Sequence, residues 1–236
     1  MVLAVALISG LGADANMVLS EVILDLRSDE RRRDIEVWNS GEDTLYIEVE
    51  VSRILDPESE SPERRKLDDP RTAGLLASPS IMVLTPDERK LLRVVVRRPA
   101  AERDLIYRVS LIPKEKQGVT TEQLAFKVLV GYEALVIVRP PNARPQLEVQ
   151  RTGRQLQLVN RGNSSILIRK LAQCPNGETS CVDLPGNRLY AGEAWSVELP
   201  GDAPVRECRN DSSIICSYVD SILPKSTSSG RSFWDR

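Results

Sequence analysis

From end to end the chain is a series of short runs in which apolar and polar residues alternate, each closed by glycine, proline, asparagine or aspartate. "MVLSEVILDL", "RRDIEVWN", "TLYIEVEVSRI", "SIMVLTP", "KLLRVVVR", "LIYRVSLIP" and the longer "EQLAFKVLVGYEALVIVRPP" follow one another over Met17 to Pro141. A period of two places one side of each run on a core and the other in solvent, which is the pattern of β-strands and not of amphipathic helices. Seven such runs before residue 141 predict an immunoglobulin-like β-sandwich. The stretch "RPPNARP", Arg139 to Pro145, halts the pattern, because proline has no N–H to give a central ladder. Beyond it "QLEVQRT", "RQLQLVNRG", "SILIRKLAQC", "AWSVELP" and "SSIICSYVD" resume the alternation in a second sandwich. The expected fold class is all-β, with domains at 16–139 and 140–224 and a disordered tail at 225–236.

The 236 residues carry 34 acidic and 32 basic side chains, a formal charge of -2, so no strong field gathers nucleic acid or anionic lipid. Histidine is absent, which removes Ser-His-Asp and Cys-His nucleophiles and the common mixed zinc sites. No metal and no cofactor are expected. The four cysteines, Cys174, Cys181, Cys208 and Cys216, lack the CxxC spacing of zinc or redox motifs and read as disulfides. Of three connectivities the local one is preferred, Cys174 with Cys181 and Cys208 with Cys216, since each pair brackets a polar, turn-forming loop. Disulfides need an oxidising compartment, and residues 1–15 supply an export signal: the apolar "VLAVALISGLG" precedes a small-x-small site, with cleavage placed after Ala15. No other segment approaches membrane-spanning length.

Asp56, Glu58 and Glu60 stand close together in "DPESESPERRKLDDPRT", read as a solvated loop. Clustered acids without a dry pocket do not separate their pKa values, so an acid/base hydrolase is a weak reading. The glycosylation-like triplets at Asn163 and Asn210 are set aside. Phe233 and Trp234 are the only aromatics of the tail able to dock on anything.

The segment "SPSIMVLTPDERKLLRVVVRRPAAERDLIYRVSLIPKE", Ser78 to Glu115, followed by "EALVIVRP", resembles the periplasmic pilus-assembly chaperones of the chaperone-usher pathway. In "LQLVNRGNSSILIRKLAQCPNGETSC" and "LYAGEAWSVELP" the chain is most similar to their alternative branch, which serves class 5 and common-pilus fimbriae. The resemblance implies two immunoglobulin-like sandwiches set at an angle, no catalysis, a periplasmic location, and pilus subunits and an outer-membrane usher as partners. It implies further that the last strand of the first domain is lent to a subunit that lacks one, a case of strand addition at an open edge.

On that reading Phe126, Val128 and Val130, with Leu124 as a fourth, enter the subunit's groove, while Ala125, Leu129 and Leu135 line the opposite face. The family's basic pair for the subunit's terminal carboxylate falls on Glu21 and Leu135, so neither cation is in place. Arg108, Lys127 and Arg139 are the candidate substitutes. The family's interdomain ionic cluster falls on Arg93, Glu102 and Asp220. The same strand would offer the free chain a surface for self-association, which the sequence does not decide. The rival to a chaperone is a pilus subunit or surface adhesin of the same sandwich type, which would lack the seventh strand and carry a spare N-terminal one.

Overall fold

The computed structural model describes residues 17–69, 71–114, 129–173 and 181–202, and the backbone alone of 205–211 and 213–219. Among these residues there are eighteen strands and no helix. The chain divides into two compact units, Met1–Pro57 with Ser61–Pro141, and Glu58–Glu60 with Asn142–Arg236. The division falls inside the proline-rich stretch.

In the first unit the strands are β1 (Met17–Leu19), β2 (Ile23–Leu26), β3 (Arg32–Asn39), β4 (Leu45–Leu55), β5 (Glu63–Lys66), β6 (Leu75–Ser78), β7 (Ile81–Leu84), β8 (Arg89–Val96), β9 (Leu105–Lys114) and β10 (Tyr132–Val138). One sheet runs β1-β3-β8-β6; the other runs β2-β10-β9-β4-β5, with β7 also on β4. The inward residues of both sheets, among them Ile35, Val37, Leu92 and Val94 from one and Ile47, Val109, Leu111 and Val136 from the other, form one buried core. This is the sandwich that the alternation demands.

The second unit contains β11 (Leu147–Thr152), β12 (Gln155–Asn160), β13 (Ile166–Gln173), β14 (Val182–Leu184), β15 (Asn187–Leu189), β16 (Ala194–Glu198), β17 (Val205–Asp211) and β18 (Ser213–Val219). Its sheets are β11-β12-β16 and β14-β13-β17-β18, with β15 also on β13. Leu156, Leu158 and Val197 face Ile166, Ile168, Leu171 and Leu189 across its core. Cys181 is disulfide-bonded, and Cys208 stands directly opposite Cys216 in the β17–β18 register.

Three sequence expectations need correction. The run "MVLSEVILDL" is two strands: β1 pairs with β3, β2 pairs with β10, and the chain changes sheets between them, where Ser20 N–H donates to Glu36 O at 2.9 Å. The loop from Asp56 to Thr72 contains β5, four exposed charged residues paired with the end of β4. Its strand is held by the ladder and not by apolar burial, so no alternation announces it. The strands β6, β14, β15 and β17 also escape the periodicity, being short or dominated by charge.

Both units carry the same corner. The buried Asn39 donates from Nδ2 to Asp43 O at 2.7 Å and Leu84 O at 3.0 Å, and its Oδ1 accepts from Gly41 N–H at 3.0 Å. The buried Asn160 donates from Nδ2 to Ser164 O at 2.8 Å and Leu189 O at 3.1 Å, and its Oδ1 accepts from Gly162 N–H at 3.0 Å. Each side chain thereby satisfies a hairpin and a neighbouring strand end at once, as a buried amide must.

Candidate functional site

The site grows from the position of β10. On one side β10 pairs antiparallel with β9 along its whole length, from Tyr132↔Leu111 to Val138↔Leu105. On the other it pairs in parallel with β2, and only from Leu135↔Ile23 to Val138↔Leu26. Leu135 N–H donates to Val22 O and Arg139 N–H to Leu26 O, each at 2.8 Å. By the two-residue period of a strand, the backbone groups of Glu133 project to the same side. No described residue stands opposite them, because the chain N-terminal to Val22 has already crossed to the other sheet. Among the described residues the first half of β10 is therefore an open edge.

Apolar side chains flank it. Leu129 is 39% and Val130 44% exposed, directly before β10, and Val22 and Ile23 are exposed at the point where β2 begins. An open edge bordered by exposed apolar residues is a template for another strand. Of the expected groove-entering residues, Val130 is thus exposed beside the edge, while Leu124, Phe126 and Val128 lie outside the described residues.

The outward face of the same sheet is polar. Glu133 on β10 accepts an ion pair from Arg64 Nη2 on β5 at 2.6 Å and lies 3.5 Å from Arg108 Nε on β9. Ser110 Oγ accepts from Arg64 at 2.8 Å and donates to Glu133 at 3.2 Å. Two guanidiniums thus meet one carboxylate next to the open edge. Arg108, a candidate anchor, belongs to this group; Lys127 lies outside the described residues.

Arg139, the third candidate, is held elsewhere. Its Nε and Nη2 donate to the two carboxylate oxygens of Asp25 at 2.7 Å each, and its Nη1 to Asp104 at 3.3 Å. Its side chain is 18% exposed, and that of Asp104 only 5%. Burial alone would push this guanidinium down, but the hydrogen bond it donates to Asp25 and the charges of Asp104 and Asp25 hold it above its ordinary pKa. A fork so engaged does not offer itself to an incoming carboxylate.

The remaining positions are equally specific. Glu21 pairs with Arg33 at 3.3 Å, and Leu135 is 7% exposed, so neither presents a cation. Arg93 meets the carboxylate of Asp34, its register partner across β3 and β8, through two hydrogen bonds of 2.8 Å, and the pair lies at the surface. Glu102 lies exposed between β8 and β9, and Asp220 lies outside the described residues. Sequence reasoning missed Arg64, because nothing in a charged loop announces a strand.

Residues 16–144 match the family described as the pili and flagellar-assembly chaperone, PapD N-terminal domain. A comparison with curated protein sequences found no match. Among solved structures, the class 5 fimbriae chaperone CfaA is 17% identical, with 86% of this chain and 98% of that chain covered at a TM-score of 0.63. The Salmonella enterica SafA pilin in complex with the SafB chaperone contains a chain 13% identical, with 86% and 96% covered at a TM-score of 0.62. The CsuC-CsuE chaperone-tip adhesion subunit complex of Acinetobacter baumannii contains one 9% identical, with 86% and 98% covered at 0.58. These likenesses establish a shared fold, and the match over more than half its length makes the chain a member of the pili and flagellar-assembly chaperone family.

Proposed function

We propose that the chain is a periplasmic chaperone that caps pilus subunits by strand donation and delivers them to an outer-membrane usher, without catalysis or a cofactor. The observation that carries this reading is the half-open edge of β10, continued by exposed Leu129 and Val130. Each apolar side chain that a subunit buried there would contribute roughly 1.5 to 3 kcal/mol, with the backbone ladder fixing the register. Leu124, Phe126, Val128 and Val130 are the residues proposed to enter the subunit. Two of the similar structures are titled as complexes of a chaperone with a pilin or a tip adhesion subunit, which supports the same class of partner here.

With neither Glu21 nor Leu135 basic, apolar filling and main-chain pairing carry most of the grip, and Arg108 is the candidate contact for a subunit carboxylate. The rival reading, a pilus subunit, is disfavoured by one observation: β10 fills its own sheet between β2 and β9, so the first sandwich lacks no strand.

Co-expression with a secreted fimbrial subunit tests the proposal. A one-to-one complex is expected, reduced by about a hundredfold in affinity on Val130→Asp or Val128→Asp, the equivalent of about 2.7 kcal/mol, with the circular dichroism of the free chaperone unchanged. An undiminished complex would overturn the proposal.

A further inference from the structure

The β10 edge is shared between two occupants, and the division point is set by β2. This strand has four residues and pairs in parallel, the slightly weaker geometry per residue. Its inward residues Leu24 and Leu26 are fully buried, but its outward residue Ile23 is exposed. The other outward residue, Asp25, makes the bidentate pair with Arg139.

Arg139 directly follows the last paired residue of β10, and Asp25 lies opposite Ile137. The clamp therefore ties the two strands together at the end far from the open edge. Asp104, directly before β9, pairs with the same guanidinium. Planar two-point pairing in a partly desolvated place is worth more than a surface contact and tolerates little sliding.

We infer that Arg139 and Asp25, seconded by Asp104, form a latch that keeps β2 on β10 and so limits the lendable edge to the residues before Leu135. They are positioning residues for strand donation, and the inference rests on the strand-donating function proposed above. With the latch released, the N–H groups of Leu135 and Arg139 lose their acceptors, Val22 O and Leu26 O, and the edge lengthens toward the linker.

Amide hydrogen exchange of the free, full-length protein tests the latch apart from any client. In Asp25→Asn and in Arg139→Lys, which keeps the charge but not the fork, the amides of Leu135 and Arg139 should exchange about tenfold faster, as expected for a local opening. Those of Val109 and Leu111 on β9 should keep their rates. The same variants should self-associate more strongly in sedimentation, through the lengthened edge. Unchanged exchange at the two amides, or equal acceleration throughout the first unit, would overturn the latch. Two substitutions of different severity keep the test open if one fails to fold. Val130→Asp serves as the control: it addresses strand donation and leaves exchange at Leu135 and Arg139 as in the parent protein, so the two ideas fail separately.

Discussion

Asn39 and Asn160 occupy the same place in the two sandwiches and bond to the same kinds of partner. The backbones agree as well as the side chains. Asn39 N–H donates to Glu88 O and Asn160 N–H to Glu193 O; Asn39 O accepts from Asp87 N–H and Asn160 O from Gly192 N–H. Asp87 and Gly192 both have positive φ, 61° and 92°. Glu88 and Glu193 each turn back to accept from a backbone N–H three residues earlier, on Thr85 and Tyr190, at 2.8 Å. The two units are built around one corner used twice.

Removing that corner should injure only the unit that owns it. Asn39→Ala or Asn160→Ala leaves buried backbone carbonyls without a donor, at a cost of about 1 to 3 kcal/mol. Denaturant unfolding followed by tryptophan fluorescence should show Asn39→Ala acting through Trp38 and Asn160→Ala through Trp195. Equal loss in both units would contradict this.

Gly162 sits where a side chain has no room. A Cβ there would lie 2.0 Å from Arg144 O and 2.6 Å from Gln146 N, both backbone atoms. Gly162→Ala should cost roughly 1 to 3 kcal/mol, the range for overpacking, and shift the amide resonances of 144–146 before those of β13. A variant with parental melting temperature would refute the crowding.

Acid should loosen the first unit in a defined direction. The hydrogen bond from Arg93 holds the Asp34 carboxyl below its ordinary pKa, and Thr85 N–H, then Lys90, do the same for Glu88. For groups lowered in the folded state, the stabilising contribution is complete above the ordinary value of about 4 and is lost as pH falls through the folded one. The melting temperature should therefore be flat from pH 7 to 5 and fall below about 4. Asp34→Asn should flatten part of that fall; an identical profile would argue against the assignment.

Reduction should act on the second unit alone. With Cys181 bonded and Cys208 facing Cys216 across a ladder, a non-reduced digest should contain a Cys208–Cys216 peptide. Short loops of this kind stabilise by about 2 kcal/mol, so reductant should lower the second transition and leave the first. A Cys208 linked instead to Cys174 or Cys181 would exclude the local pairing.

The faces of the strands were legible in the sequence, and their partners were not. Alternation in "MVLSEVILDL" marks which residues turn inward, but it cannot say that the chain changes sheets near Ser20, and that change is what opens β10. The motif "WNSG" resembles "VNRG" at a glance, yet its meaning depends on Leu84 and Leu189, strands away. Val130 was named from the strand pattern and the family resemblance, and the structure leaves it exposed directly before β10. The Arg139–Asp25 pair joins residues 114 positions apart, and no local signal links them. Arg93 was assigned by resemblance to Glu102 and Asp220, whereas its observed partner, Asp34, is set by the β3–β8 register.

The charged strand β5 bears on symmetry. The larger sheet of the first unit ends at one side in β2 and the half of β10 that β2 leaves uncovered, and at the other in Glu63, Arg64, Arg65 and Lys66, all exposed, with β7 alongside, where Lys90 Nζ donates to Val83 O. Joining unlike edges head to tail would build an unlimited fibre, while joining like edges closes after two. Among the described residues the far side is ionic and partly capped, so a contact between copies through this sheet would join β10 to β10 and close as a pair.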